Sequence, residues 1–301
     1  MQRRPVAGRC FRSQLTRIQA LHHPSTLIDL GHGLRFTESP RWRGDRLWFI
    51  DIHDNAIKSV SLAGDLRTEL TLPFKPNGLG FLPDGSAVFS DALSLKMKRW
   101  DGSELHDFAD LSGTSVFCLS DAITDAQGRT WVGDIGYNFW NPDAAPAETC
   151  VISRIDQDGT VTKVAGNLRF PNGLVITPDG KTLVVAETNG FCLTAYDIAA
   201  DGSLSNCRVW AELPEGVQPD GICLDPSGAI WVSNPGETGP KVLLVREGGE
   251  VTASVELDVH AYAVAVGGPE LRHLFICTSG SHDPAEIATN PTARILVSEV
   301  A

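Results

Sequence analysis

Positive charge is scarce in this sequence: 25 Lys and Arg stand against 37 Asp and Glu, for a formal net charge of −12 and a pI near 5.1. A dedicated nucleic-acid binder needs a basic footprint to neutralise phosphates, and this balance excludes one. Long apolar runs are also missing. None approaches the roughly 18 residues that a membrane-spanning helix requires, so no membrane partner is expected. The seven cysteines, at 10, 118, 150, 192, 207, 223 and 277, are scattered, odd in number and contain no C-x-x-C pair. That sets aside a disulfide scaffold and a thiolate zinc site, and makes a reducing cytoplasm the expected compartment. G-x-S-x-G, H-E-x-x-H, G-x-G-x-x-G and a complete P-loop are all absent, since Gly180-Lys181-Thr182 has Val175 where the loop needs its first Gly. The eight histidines show no metal-ligand spacing, although His260 and His282 fall where they could face a pocket. The first 17 residues hold five Arg and no acid, without the apolar stretch of about 7–15 residues that marks a secretory signal. Residues 1–24 therefore read as a disordered basic extension ahead of one domain over 25–301.

Turn residues are plentiful, with 29 Gly and 18 Pro, and one phrase recurs. It begins with a polar residue and a short apolar stretch, passes through a Pro/Asp/Gly turn, and ends in a second apolar stretch. The copies start at Glu38, Asn77, Asp121, Asn172, Asp220 and, more loosely, Ala263. Six copies spaced by about 40–50 residues match the period of a four-stranded propeller blade. After each copy comes an alternating segment, such as AIKSVSL or FCLTAYDI, and usually a fourth, such as LRTELTL or EVTASVEL. Period-two alternation is the pattern of a half-buried antiparallel strand. The fold predicted is all-β, a six-bladed propeller of four-stranded antiparallel blades. The last copy ends near Val300 with no room for a fourth strand, so Ser25–Gly31 is expected to supply it and close the ring. The Asp-Gly pairs at 84–85, 158–159, 179–180 and 201–202 read as hairpin turns. Trp48, Trp131 and Trp231 read as blade-to-blade core.

In a propeller the residues entering the innermost strands face one mouth of the central channel. Here that phase is held by Glu38, Asn77, Ser120, Asp121, Asn172 and Asp220. Carboxylates and amides gathered there would repel or stay unsatisfied without a cation or solvent. Oxygen donors without His or Cys favour a hard ion, Ca²⁺ first, with Mg²⁺ or Mn²⁺ next and Zn²⁺ an opportunistic occupant. Cys118, just before the polar pair of the third copy, could also line the pocket.

The motifs Glu38-Ser-Pro-Arg-Trp42, Phe170-Pro-Asn-Gly-Leu174 with Pro178-Asp-Gly180, and Pro219-Asp-Gly-Ile222 followed by Asp225-Pro-Ser-Gly-Ala-Ile-Trp231 stand in one order and phase. In these the chain resembles the gluconolactonase, regucalcin and luciferin-regenerating-enzyme group of six-bladed propellers, over about residues 25–300. The resemblance implies that Glu38, Asn172 and Asp220 bind one divalent cation, usually calcium, and that the activity is hydrolysis of a lactone or small ester. The chain departs from the family in two places. Ser120-Asp121 replaces an Asn-Asp pair, and Cys118 replaces an Arg found in gluconolactonases, which implies a substrate less polyhydroxylated than gluconolactone. Gly133–Asn138 is similar to a bacterial variant segment, and Asp134, Tyr137 and Asn138 are expected in the pocket with Ser120, Asp121 and Cys118. The cation would polarise the carbonyl, and Asp220 would take the proton of the attacking water. Two other readings are a different reaction on the same scaffold (strictosidine-synthase-like condensation or carbon–carbon hydrolysis) and a non-catalytic propeller that binds calcium or a partner.

Overall fold

Alternating runs separated by Pro/Asp/Gly clusters commit a chain to hairpins, because each strand buries one face and each turn needs residues that tolerate unusual φ. A computed structural model describes residues 27–138, 143–147, 149–236 and 238–300. The basic stretch 1–24, with Cys10, lies outside the described residues. Strand β1 (Ile28–Leu34) precedes the first blade, which holds β2 (Thr37–Arg43), β3 (Arg46–Asp51), β4 (Ala56–Ser61) and β5 (Leu66–Thr71). Blade two holds β6 (Pro76–Phe81), β7 (Ala87–Asp91), β8 (Lys96–Trp100) and β9 (Leu105–Asp110). Blade three holds β10 (Leu119–Thr124), β11 (Thr130–Asp134), β12 (Cys150–Ile155) and β13 (Val161–Leu168). Blade four holds β14 (Pro171–Ile176), β15 (Thr182–Glu187), β16 (Cys192–Ile198) and β17 (Leu204–Glu212). Blade five holds β18 (Ile222–Leu224), β19 (Ile230–Asn234), β20 (Lys241–Val245) and β21 (Val251–Glu256). The last blade holds β22 (His260–Gly267), β23 (His273–Ser279) and β24 (Ala293–Glu299), with a short helix α1 (Pro284–Thr289) before β24 that alternation did not announce.

Every blade is an antiparallel four-stranded sheet in sequential order, and the last reads β1-β24-β23-β22. The ring is closed by β1, which pairs with β24 from Ile28 opposite Val297 to Leu34 opposite Ala293. This is the closure expected from the sequence, and it removes the edge that β24 would otherwise expose. The turns behave as read: Gly85 N–H donates to Leu82 O at 2.9 Å and Gly180 N–H to Thr177 O at 2.8 Å.

The core lies between blades rather than within them. One cluster joins Val184, Ala186 and Trp210 of blade four to Ile222, Ile230 and Val232 of blade five. Another joins Leu47 and Phe49 of blade one to Phe275 and Ile295 of the last blade. Trp131 and Trp231 are buried in two further clusters and Trp48 packs against a third, so all three are core. A second device recurs at the end of several second strands, where a carboxylate or amide accepts backbone N–H groups from the loop leading into its own blade. Asp51 accepts from Arg35 and Phe36, Asp134 from Val116, Glu187 from Arg169, and Asn234 from Gln218. These bonds fix the segments that enter the inner strands, and so the mouth of the channel.

Candidate active site

The first four inner strands break register near a site residue. The breaks fall between Glu38 and Arg41, Asn77 and Leu79, Leu119 and Ala122, and Pro171 and Leu174. Such a bulge re-aims a side chain out of the alternation. In blade five the ordered strand starts only at Ile222, two residues after Asp220. Close approach of neighbouring inner strands carries the rest of the arrangement. Gly173 N–H donates to Asp220 O at 3.2 Å, and a Cβ on Gly173 would lie 2.5 Å from Ile222 N and 2.7 Å from Asp220 O. The Gly of the Pro-Asn-Gly motif is therefore a packing requirement between blades.

Glu38, Asp121 and Asp220 are all buried and feel one another's charge. The Glu38 carboxylate accepts Ser39 N–H at 3.0 Å, with Ser39 in the left-handed region at φ 50°. Asp121 accepts Ala122 N–H at 2.8 Å and is bridged by Arg41, whose Nη2 stands 3.0 and 3.2 Å from its two oxygens and 2.6 Å from Ala122 O. The Asn172 side chain donates to Thr188 Oγ1 at 3.2 Å and also hydrogen-bonds Asp220. Thr188 in turn donates to Pro219 O at 2.8 Å. One threonine thus ties the Asn172 side chain to the backbone segment that carries Asp220.

Burial, followed by the charge of Asp121, pushes Asp220 up to about 8, against a smaller opposing effect of Asn172. Glu38 is held well above the usual carboxylate range by burial, then by Asp220 and Asp121, with Ser39 N–H and Arg41 acting against this. Within the cluster Arg41 is the paired cation, and its geometry serves Asp121. Glu38 and Asp220 therefore share a buried, acid-rich space without a matching positive charge, a condition that costs free energy until a cation or protons neutralise it. The donors are all oxygens, so the residues fit a hard divalent ion. Among the described residues no three His, Cys, Asp or Glu side chains form a metal cage by themselves. An ion here would use the Asn172 amide and solvent alongside the two carboxylates.

The remaining sequence-predicted residues fall into two groups. Ser120 is buried beside Asp121, and Cys118 lines an open cleft that also meets Asn77, Leu93, Ile135 and His282. Burial pushes the Cys118 thiol up to about 12, so it is a wall and not a nucleophile. Tyr137 packs edge-on to Phe170, and its hydroxyl lies 3.2 Å from Asn189 Nδ2. Asn138 is exposed. Asp134 is one of the loop clamps, its two oxygens accepting Val116 N–H at 2.9 Å and Val151 N–H at 2.7 Å. His260 packs against Tyr262.

Tyr262 was missed from sequence. It is buried on the sixth inner strand, and its phenol pKa is raised by burial and by the charges of Asp220 and Glu38. The loosest repeat hides it, because an aromatic stands where the other copies carry a polar residue. His53 and Lys75 were missed as well; His53 lies in the β3–β4 connection of blade one and Lys75 in the segment between blades one and two, both outside the repeated phrase, where phase carries no information.

The family model described as "SMP-30/Gluconolactonase/LRE-like region" matches residues 36–280. The pentonolactonase XacC of Haloferax volcanii is 29% identical over 258 residues, covering 82% of this chain and 82% of that protein. The 6-deoxy-6-sulfogluconolactonase of Pseudomonas putida is 28% identical over 171 residues, covering 56% of each chain. Among solved structures, a calcium-binding protein, regucalcin, of Agrobacterium tumefaciens superposes with a TM-score of 0.74 at 20% identity, covering 93% of this chain and 96% of that one. That likeness shows the fold. Among the described residues no helix is long and apolar enough to cross a membrane.

Proposed function

The chain belongs to the SMP-30/gluconolactonase/LRE-like family, and from that premise we propose that it is a divalent-metal-dependent lactone hydrolase, a carboxylic ester hydrolase acting on a small lactone or ester. The observation that carries the reading is the meeting of Glu38, Asn172 and Asp220, from three blades, in a buried space short of positive charge. The two lactonase relatives support the reaction class. Calcium is the proposed ion, supported by the all-oxygen donor set and by the regucalcin likeness.

Glu38, Asn172 and Asp220 would hold the ion, whose contribution when bound is to polarise the lactone carbonyl. Asp220 takes a proton from water as the water oxygen bonds to the acyl carbon. The ring C–O bond then breaks, and Asp220 returns the proton to the departing ring oxygen, leaving a hydroxy acid. With the ion bound, its charge keeps Asp220 in the carboxylate form, the form that accepts the proton. Ser120, Asp121, Tyr137 and Asn138 are the residues proposed to contact the substrate, and Asp134 contributes by fixing the segment that carries Cys118. The six cysteines among the described residues are free thiols, which supports a reducing cytoplasm.

The test is pH-stat titration of sugar, aliphatic and aromatic lactones, with and without chelator, beside Asp220→Ala. Hydrolysis that stops on chelation and in the variant is expected. Activity indifferent to both would sink the mechanism, and stoichiometric calcium binding without hydrolysis of any lactone would leave a binding propeller.

A further inference from the structure

The cleft beside the carboxylate cluster is built from two unlike parts. Phe36, Leu93, Cys118 and Ile135 give it an apolar wall, and Asn77 stands at the end toward the cluster, its Oδ1 3.5 Å from Ser39 Oγ. Lys75, two residues before Asn77, also lines it. The Lys75 ammonium is half-buried and, among the described residues, has no carboxylate within ion-pair distance. Its polar partner is His53, whose Nδ1 lies 2.9 Å from Nζ.

His53 cannot neutralise that charge. Burial, and then the positive charge of Lys75, push the imidazole down to about 4, so the ring is neutral and accepts at Nδ1, while it also hydrogen-bonds the backbone of His282. The acid whose charge reaches the ring, Asp283, caps α1 by accepting Ala285 N–H at 2.8 Å. A cation is thus held in place by a neutral acceptor at the rim of an apolar cleft, the arrangement that receives an oxyanion from a ligand.

We infer that this cleft is a substrate subsite in which Lys75 pairs with an anionic substituent, so that the lactone accepted carries a carboxylate or comparable oxyanion on an otherwise apolar frame. The inference rests on the lactonase reading and narrows its substrate class. It also explains the departure at Cys118: that position offers an apolar wall, and the charged donor stands across the cleft on another loop.

Two pairs of probes test it. Cyclopentylacetate and cyclopentylacetamide, which carry no ester, measure binding by calorimetry; a five-membered lactone bearing a carboxymethyl group and its primary carboxamide measure turnover. Wild type is expected to prefer the acid of each pair by about tenfold or more, the scale of one charge-assisted hydrogen bond. Lys75→Met should erase the preference by raising Kd and KM for the acids, while kcat stays within about twofold. Lys75→Arg, which keeps the charge, should retain it. Equal affinity of wild type for acid and amide, or a preference that survives in Lys75→Met, would overturn the subsite. A charge preference in binding with neither lactone hydrolysed leaves the subsite standing and removes the lactonase reading. Hydrolysis of both lactones without a charge preference does the reverse.

Discussion

Replacing Asp220 by Asn should stabilise the metal-free protein while abolishing its activity. The carboxyl titrates near 3.8 in an unfolded chain and near 8 in the fold, because burial and the charge of Asp121 disfavour its ionised form. An acid whose pKa rises on folding contributes its full stability below the unfolded value and loses it as pH climbs toward the folded one. Between 3.8 and 8 each pH unit removes about 1.4 kcal/mol. At pH 7 the interval from 3.8 is about three units, so the ionisable group costs about 4 kcal/mol relative to a neutral isostere. Asn keeps the shape without the charge, and its melting temperature in chelator should exceed that of wild type by roughly 5–10 °C at pH 7. At pH 4 the two should melt together. Added calcium should reverse the order, since the ion stabilises the form that binds it. Scanning calorimetry with and without chelator measures all of this. Wild type and variant melting together at pH 7 in chelator would refute the claim that the fold disfavours the ionised form of Asp220.

Four further outcomes follow from the same geometry. Calcium binding should release protons from Glu38 and Asp220, both held above the ordinary carboxylate range; calorimetry in buffers of different ionisation enthalpy should show this release, with affinity falling as pH drops below about 8. Gly173→Ala should cost about 1–3 kcal/mol and most of the activity, because its Cβ meets the backbone of Asp220 and Ile222. Gly180→Ala, at a hairpin with open space around the added carbon, should cost about 1 kcal/mol and leave activity intact. Arg41→Met should destabilise by about 3–5 kcal/mol, since it strands the buried Asp121 carboxylate, and Asp121→Asn in the same chain should restore much of the loss.

Much of the fold was legible because its determinants are local. Alternation, Pro/Asp/Gly turns and a recurring phrase gave the strands, the six blades and the β1–β24 closure. The shared phase of Glu38, Asn77, Asp121, Asn172 and Asp220 was legible for the same reason, since residues at one register of equivalent strands converge on one axis. The role of Asp134 was not. It reads as a polar residue near the mouth, yet the fold uses it as it uses Asp51, Glu187 and Asn234, to hold loop amides.

Sequence by itself therefore determined the architecture and nominated the acids, because periodicity and turn chemistry act over a few residues. Tertiary structure alone decided which acids are left without a counter-ion. The pairing of Arg41 with Asp121 spans 80 positions, and that of Lys75 with His53 spans 22. Only packing the blades around one axis brings such groups within reach, and a Coulomb interaction inside a buried space depends on that distance and not on separation along the chain.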